Sequence, residues 1–190
     1  MKLTLIRHSK TSPTADIPIP LWGLSKEGVK LAKKLSENKT IKEIEVIYSS
    51  LQTKALETAL LLAKPNAIPI KTNPCLTEIS SFTIKFFGSR KYEENVKNFY
   101  AGKSKRIAGG ETHQEALERF SRAINKIINK EKNRGVKNIG IVSHGNILSF
   151  FSAQFCPYSP LEIHQLIKMP DVAILDWQDK KFIKFYGETI

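Results

Sequence analysis

Apolar and polar positions follow two rhythms along this chain. Short apolar runs between turn residues predict strands at 1–6 (MKLTLI), 45–50 (EVIYSS), 67–71 (AIPIK), 137–144 (KNIGIVSH), 171–177 (DVAILDW) and 181–187 (KFIKFYG). Pro69 weakens the third of these, and a turn at Asp179–Lys180 joins the last two. Apolar residues three or four apart predict helices between them. In 24–39, Ser25 caps a face of Val29, Leu31, Ala32 and Leu35, with Gly28 lowering the helix propensity. Helix 51–64 stops at Pro65, and 91–100 reads as a short helix. The longest is 109–133, where Thr112 and Glu115 form a capping box ahead of Ala116, Leu117, Phe120, Ile124, Ile127 and Ile128. Helices 145–155 and 159–167 follow, the second opened by Ser159, Pro160 and Glu162. Residues 11–20 hold three prolines and read as an irregular loop; 72–90 has no period.

Strands alternating with helices predict an α/β fold: a three-layer α/β/α sandwich on a mostly parallel central sheet, with an antiparallel edge strand from the final pair. At 190 residues the chain fits a single domain, 1–190, with residues 72–110 as a lid or insertion over one end of the sheet. A domain of this size buries roughly 70% of its unfolded surface, enough for a core without staples. Hydrophobic content of 41% and charged content of 25% are those of an ordinary globular chain. Cys75 and Cys156 form neither a disulfide framework nor a metal spacing. With no secretory or membrane-spanning run, they predict a cytoplasmic location and no membrane partner.

The net charge of +12 is the one unusual total. Much of it is lysine on predicted helix surfaces, which reads as solvated faces. It also favours anionic substrates. No nucleic-acid motif and no interleaving of aromatic and basic residues accompanies it, so no nucleic-acid partner is expected.

Candidate chemistry lies at two strand ends. The first strand ends in Arg7-His8-Ser9 and the fourth in Ser143-His144-Gly145. Ligands of open α/β sheets sit beyond the carboxyl ends of the strands, where two such histidines can meet. A helix starts at Gly145, and its free N–H groups favour an anion. Lys54, early in helix 51–64, falls on the same rim, and Glu78 follows the third strand. Two imidazoles, two cations and a carboxylate suit phosphoryl transfer: a nitrogen nucleophile, charges for the transferred oxygens, and an acid for the leaving alkoxide.

Five segments in order, LIRHSKT, SLQTKALETA, LTEI, GGETHQEALERF and IVSHGNIL, resemble the signatures of the histidine phosphatase superfamily, the phosphoglycerate mutase-like family. The resemblance covers nearly the whole chain. It implies that His8 is the phosphorylated nucleophile, that Arg7, Lys54, His144 and Gly145 bind phosphate, and that Glu78 is the general acid/base. Glu111 is the competing carboxylate. It implies no metal and no cofactor, with a small phosphorylated metabolite as partner; oligomeric state is not readable. The expected activity is a phosphomonoesterase. A low-activity anion-binding module of the same fold, or a mutase-type phosphoryl transferase, is the alternative.

The chain departs from that family's pattern in places. Ser9 replaces a glycine, which would cost roughly 1–2 kcal/mol at a positive φ. Lys54 stands in for a phosphate-binding arginine and loses its planar fork. Leu51 stands where proline is usual. His113 and His164 read as surface or capping residues, and Phe82, Phe86 and Phe87 as core or lid packing.

Overall fold

The computed structural model describes residues 1–79, 89–103, 106 and 110–187. Phe82, Phe86, Phe87 and much of the expected insertion lie outside them. Six strands form one sheet: β1 (Lys2–Arg7), β2 (Val46–Ser49), β3 (Ile70–Thr72), β4 (Asn138–Ser143), β5 (Asp171–Asp176) and β6 (Lys181–Lys184). Their spatial order is β3-β2-β4-β1-β5-β6. The first four are mutually parallel, whereas β5 runs antiparallel to β1 and β6 antiparallel to β5. The α/β sandwich expected from the alternating elements is therefore the fold, its antiparallel edge being a hairpin of two strands.

Seven helices are described: α1 (Lys26–Ser36), α2 (Lys39–Lys42), α3 (Thr53–Ala63), α4 (Ser89–Tyr100), α5 (His113–Lys132), α6 (Gly145–Ser152) and α7 (Pro160–Leu166). The predicted caps are in place. Ser25 Oγ accepts the Gly28 N–H, and capping boxes close on Thr112 with Glu115 and on Ser159 with Glu162. The short α2, capped by Asn38, was hidden in the polar tail of the first helical pattern. The strand at 67–71 shrinks to three residues because Pro65 and a left-handed Ala67 keep its start in a turn.

Side chains alternate across the sheet as pleating requires. Leu3, Leu5, Tyr48, Ile139 and Ile141 join a core with Phe120 and Ile124 of α5 and Phe151 of α6. Ile6, Ile47 and Val142 point the other way, onto Leu35, Ala55, Ala59 and Leu62 of α1 and α3. Gly140 leaves room on that face: a Cβ there would lie 3.1 Å from Ile44 and Ile47. Burying both faces of β1 and β4 makes them the central pair. Their register sets Arg7 beside Ser143, so the residues that follow leave the sheet side by side.

Candidate active site

His8 and His144 are those residues. Their rings are 5.2 Å apart between centroids and tilted by 60°. Both are buried, His144 completely. The Ser9 carbonyl lies 2.8 Å from His8 Nδ1. A carbonyl only accepts, so Nδ1 carries the proton and Nε2 keeps its lone pair. Burial, opposed by that backbone bond and aided by the Lys54 and Arg7 charges, lowers the His8 pKa to about 3. The imidazole is thus neutral and nucleophilic at any ordinary pH.

His144 is held by Ser50, whose Oγ is 2.8 Å from Nε2. Ser50 Oγ also accepts the Gln52 N–H. If that hydroxyl donates to Nε2, Nδ1 bears the hydrogen; Nδ1 is a buried atom with no partner among the described residues. An anion in the adjoining cavity would supply its acceptor. Burial first, then the charges of its neighbours, holds the His144 pKa well below the ordinary value. Ser50 was legible only as a turn residue; its role depends on β2 lying next to β4.

Arg7 donates from Nη1 to the Ile167 carbonyl at 2.6 Å. Its guanidinium rests on Gly145, where a Cβ would lie 2.9 Å from Arg7 Cζ. The glycine that opens α6 thus also admits the cation. Lys54 is buried and donates to the Ile19 carbonyl at 2.9 Å. Burial lowers its pKa to about 8, against the raising effect of Glu78. Glu78 reaches the first turn of α6. Its Oε2 accepts from the Asn146 backbone and side chain, and its Oε1 from the Ile147 and Ile79 N–H groups.

Arg7, His8, Lys54, Glu78, His144 and Gly145 all line one cavity of about 590 Å³. Glu111 is not in that lining; it pairs with Arg119 of α5. His164, expected on the surface, is half-buried and does line the cavity, because α7 packs against α6. Burial and the Arg7 charge lower its pKa to about 4. His113 is exposed, as expected for the first residue of a helix. Much of the outer wall is apolar: Ile19, Pro20, Leu21, Trp22, Leu51 and Met169. The Trp22 indole N–H is spent on the Thr14 and Ile17 carbonyls.

The loop after His8 meets the demands of its unusual serine. Ser9 has no positive φ, so the strain feared for it does not arise. Its N–H donates to Thr58 Oγ1 and its Oγ to the Gly28 carbonyl. Gly28, read only as a weak point of a helix, is required here. A Cβ at that position would lie 2.0 Å from the Lys10 carbonyl oxygen.

Known proteins are similar in the same sense. A native mycobacterial glucosyl-3-phosphoglycerate phosphatase superposes with a TM-score of 0.80 at 16% identity, over 99% of each chain. YhfR of Bacillus stearothermophilus gives 0.78 at 21% identity, over 100% of this chain and 98% of that one. A phosphoglycerate mutase from Bacillus anthracis gives 0.78 at 20%, over 98% and 92%. At these identities the likeness is one of fold. No protein with a curated function matches the chain in sequence. A family model, however, matches residues 3–187, and by it the chain belongs to the histidine phosphatase superfamily, branch 1.

Proposed function

We propose that the protein is a phosphomonoesterase that works through a phosphohistidine on His8. The observation that carries this is the neutral His8 imidazole, with its Nδ1 proton fixed on a carbonyl, lying beside His144 in a cavity shared with Arg7, Lys54 and Glu78. His8 Nε2 attacks phosphorus and the bond to the ester oxygen breaks. Glu78 gives its proton to the leaving alkoxide. Arg7, Lys54, His144 Nδ1 and the Gly145 N–H take the charge of the phosphoryl oxygens. Glu78 then takes a proton from water, which attacks the phosphohistidine, releases inorganic phosphate and restores His8.

The test is hydrolysis of p-nitrophenyl phosphate by the parent and by His8→Ala. Turnover that vanishes with His8 supports the enzyme; turnover that survives refutes it. A second reading, an anion-binding module with little turnover, is favoured by Lys54, a cation without a fork that is partly engaged by the Ile19 carbonyl. Vanadate binding without hydrolysis would support that module. A mutase would instead return the phosphoryl group to a second hydroxyl of the substrate, detected as isomerised ester.

The apolar outer wall favours an ester whose alcohol is aryl or alkyl rather than a second anion. Among the described residues the cavity's fixed cations are Arg7 and Lys54, both assigned here to the phosphate. Phenylalkyl phosphates should therefore have the higher kcat/KM against phosphoglycerate or phosphoserine, and Leu21→Asp should narrow that margin. A preference for the carboxylated esters would remove this part of the proposal.

A further inference from the structure

Glu78 sits in a segment with little regular structure of its own. Thr77, which follows the turn Pro74–Leu76, is extended, and the Leu76 carbonyl takes the Ser143 hydroxyl, while the carbonyls of Cys75, Thr77 and Glu78 have no strand partner. These three turn instead to one side chain. Arg119 Nη1 donates to the Cys75 carbonyl at 2.7 Å and to the Thr77 carbonyl at 3.2 Å, and Nη2 donates to the Glu78 carbonyl at 3.3 Å. The other edge of the same guanidinium grips Glu111: Nε donates to Oε2 at 3.0 Å, and Nη2 makes a short bond to Oε1. Both side chains are about four-fifths covered, at 20% and 17% exposure. The residues lie eight apart, Arg119 in the second turn of α5 and Glu111 just ahead of its N-cap Thr112, so the pair is tied to the start of a helix that packs on the sheet.

From this geometry we infer that Arg119, aligned by Glu111, is the positioning residue for the Glu78 carboxyl. This rests on the phosphatase reading above. Three carbonyls and a carboxylate around one planar cation use the donor fork that arginine has and lysine lacks. The backbone of Glu78 is thus held from the α5 side while its carboxylate is held by the first turn of α6. Neither Arg119 nor Glu111 is in the cavity lining. They act on the chemistry only through where Glu78 stands. The same pairing gives Glu111, the competing carboxylate of the sequence, a role of its own.

A misplaced proton donor has a signature that general destabilisation lacks. Cleaving an alkyl phosphate needs a proton on the departing oxygen; cleaving p-nitrophenyl phosphate hardly does. We would measure kcat/KM, which reports His8 phosphorylation, for phenethyl phosphate and for p-nitrophenyl phosphate in Arg119→Lys and Glu111→Gln, with Glu78→Gln as the reference. Both variants should lose about 10-fold or more on the alkyl ester and less than about 3-fold on the aryl ester, in the pattern of Glu78→Gln. For the aryl ester kcat should still fall, because water attack on phosphohistidine needs the base. Vanadate affinity should stay within about 3-fold, showing the phosphate end intact. Equal losses on the two esters, or no loss in a folded variant, would overturn the inference while leaving the phosphatase reading in place. If Arg119→Lys does not fold, Glu111→Gln decides by the same ratio. A parent without His8-dependent turnover would overturn both.

Discussion

Lys54 offers a measurement in which stability and function pull in opposite directions. The residue is 5% exposed, and burial brings its pKa from 10.5 to about 8. At 1.36 kcal/mol per pKa unit, keeping that charge in the folded protein costs about 3 kcal/mol. The unfolded chain holds the proton up to about pH 10.5, while the folded chain releases it near pH 8. Between those values the unfolded state binds more protons, so this group's contribution to stability rises with pH. The cost is fully present below pH 8 and gone above 10.5. Lys54→Met removes the charge. By this account the variant is the more stable protein at pH 7, by up to about 3 kcal/mol less the lost bond to Ile19. Its advantage should disappear as pH rises through that window. Urea unfolding of both proteins at pH 7, 8.5 and 10 reads the difference, in which the other lysines cancel. Saturating inorganic phosphate should also narrow the gap at pH 7, because the parent, with its full set of phosphate ligands, binds the anion more tightly than the variant. A gap that stays constant with pH would refute the reasoning. In catalysis, the parent's kcat/KM should fall about 10-fold per pH unit above about pH 8, and Lys54→Arg should abolish that limb.

Gly145→Ala should push the Arg7 guanidinium aside and weaken inorganic phosphate binding by about 10- to 100-fold; calorimetric titration measures this, and unchanged affinity would contradict the packing of Arg7 on Gly145. Because its lowered pKa of about 3 keeps His8 neutral in the folded state, its ring resonances should not titrate between pH 7 and about 4.5, as followed by NMR. A midpoint near 6.5 would mean that the ring is not buried as described. Gly28→Ala should cost about 2–4 kcal/mol in urea unfolding and lower activity with it, since the new methyl meets the Lys10 backbone rather than a side chain that can move. A variant as stable as the parent would show that α1 is free to shift.

The fold was legible wherever periodicity and caps agreed. Helix α5 announces itself through Thr112, Glu115 and the run from Ala116 to Ile128, and β1 and β4 through apolar stretches buried on both faces. The two histidines were legible because a strand end is a fixed point in an α/β sheet. What escaped reading depends on contacts between elements far apart in sequence. Gly28 carries no sign that the Lys10 carbonyl will lie against it. Ser50 becomes a partner of His144 only once β2 and β4 are neighbours. His164 sits on an amphipathic helix end, and only the docking of α7 turns it toward the cavity. Arg119 reads as one more charge on a charged helix until the carbonyls of Cys75, Thr77 and Glu78 are seen around it.

The ladder between β1 and β4 sets the two histidines without help from the recognition end. His8 and His144 are positioned by neighbouring backbone in the middle of the sheet, whereas the outer wall comes from loops that only connect to it. Those loops can be exchanged like interchangeable jaws on a common handle. Replacing residues 11–22 with the corresponding loop of another such protein would redirect which alcohol is accepted while the phosphorylating imidazole stays where it is.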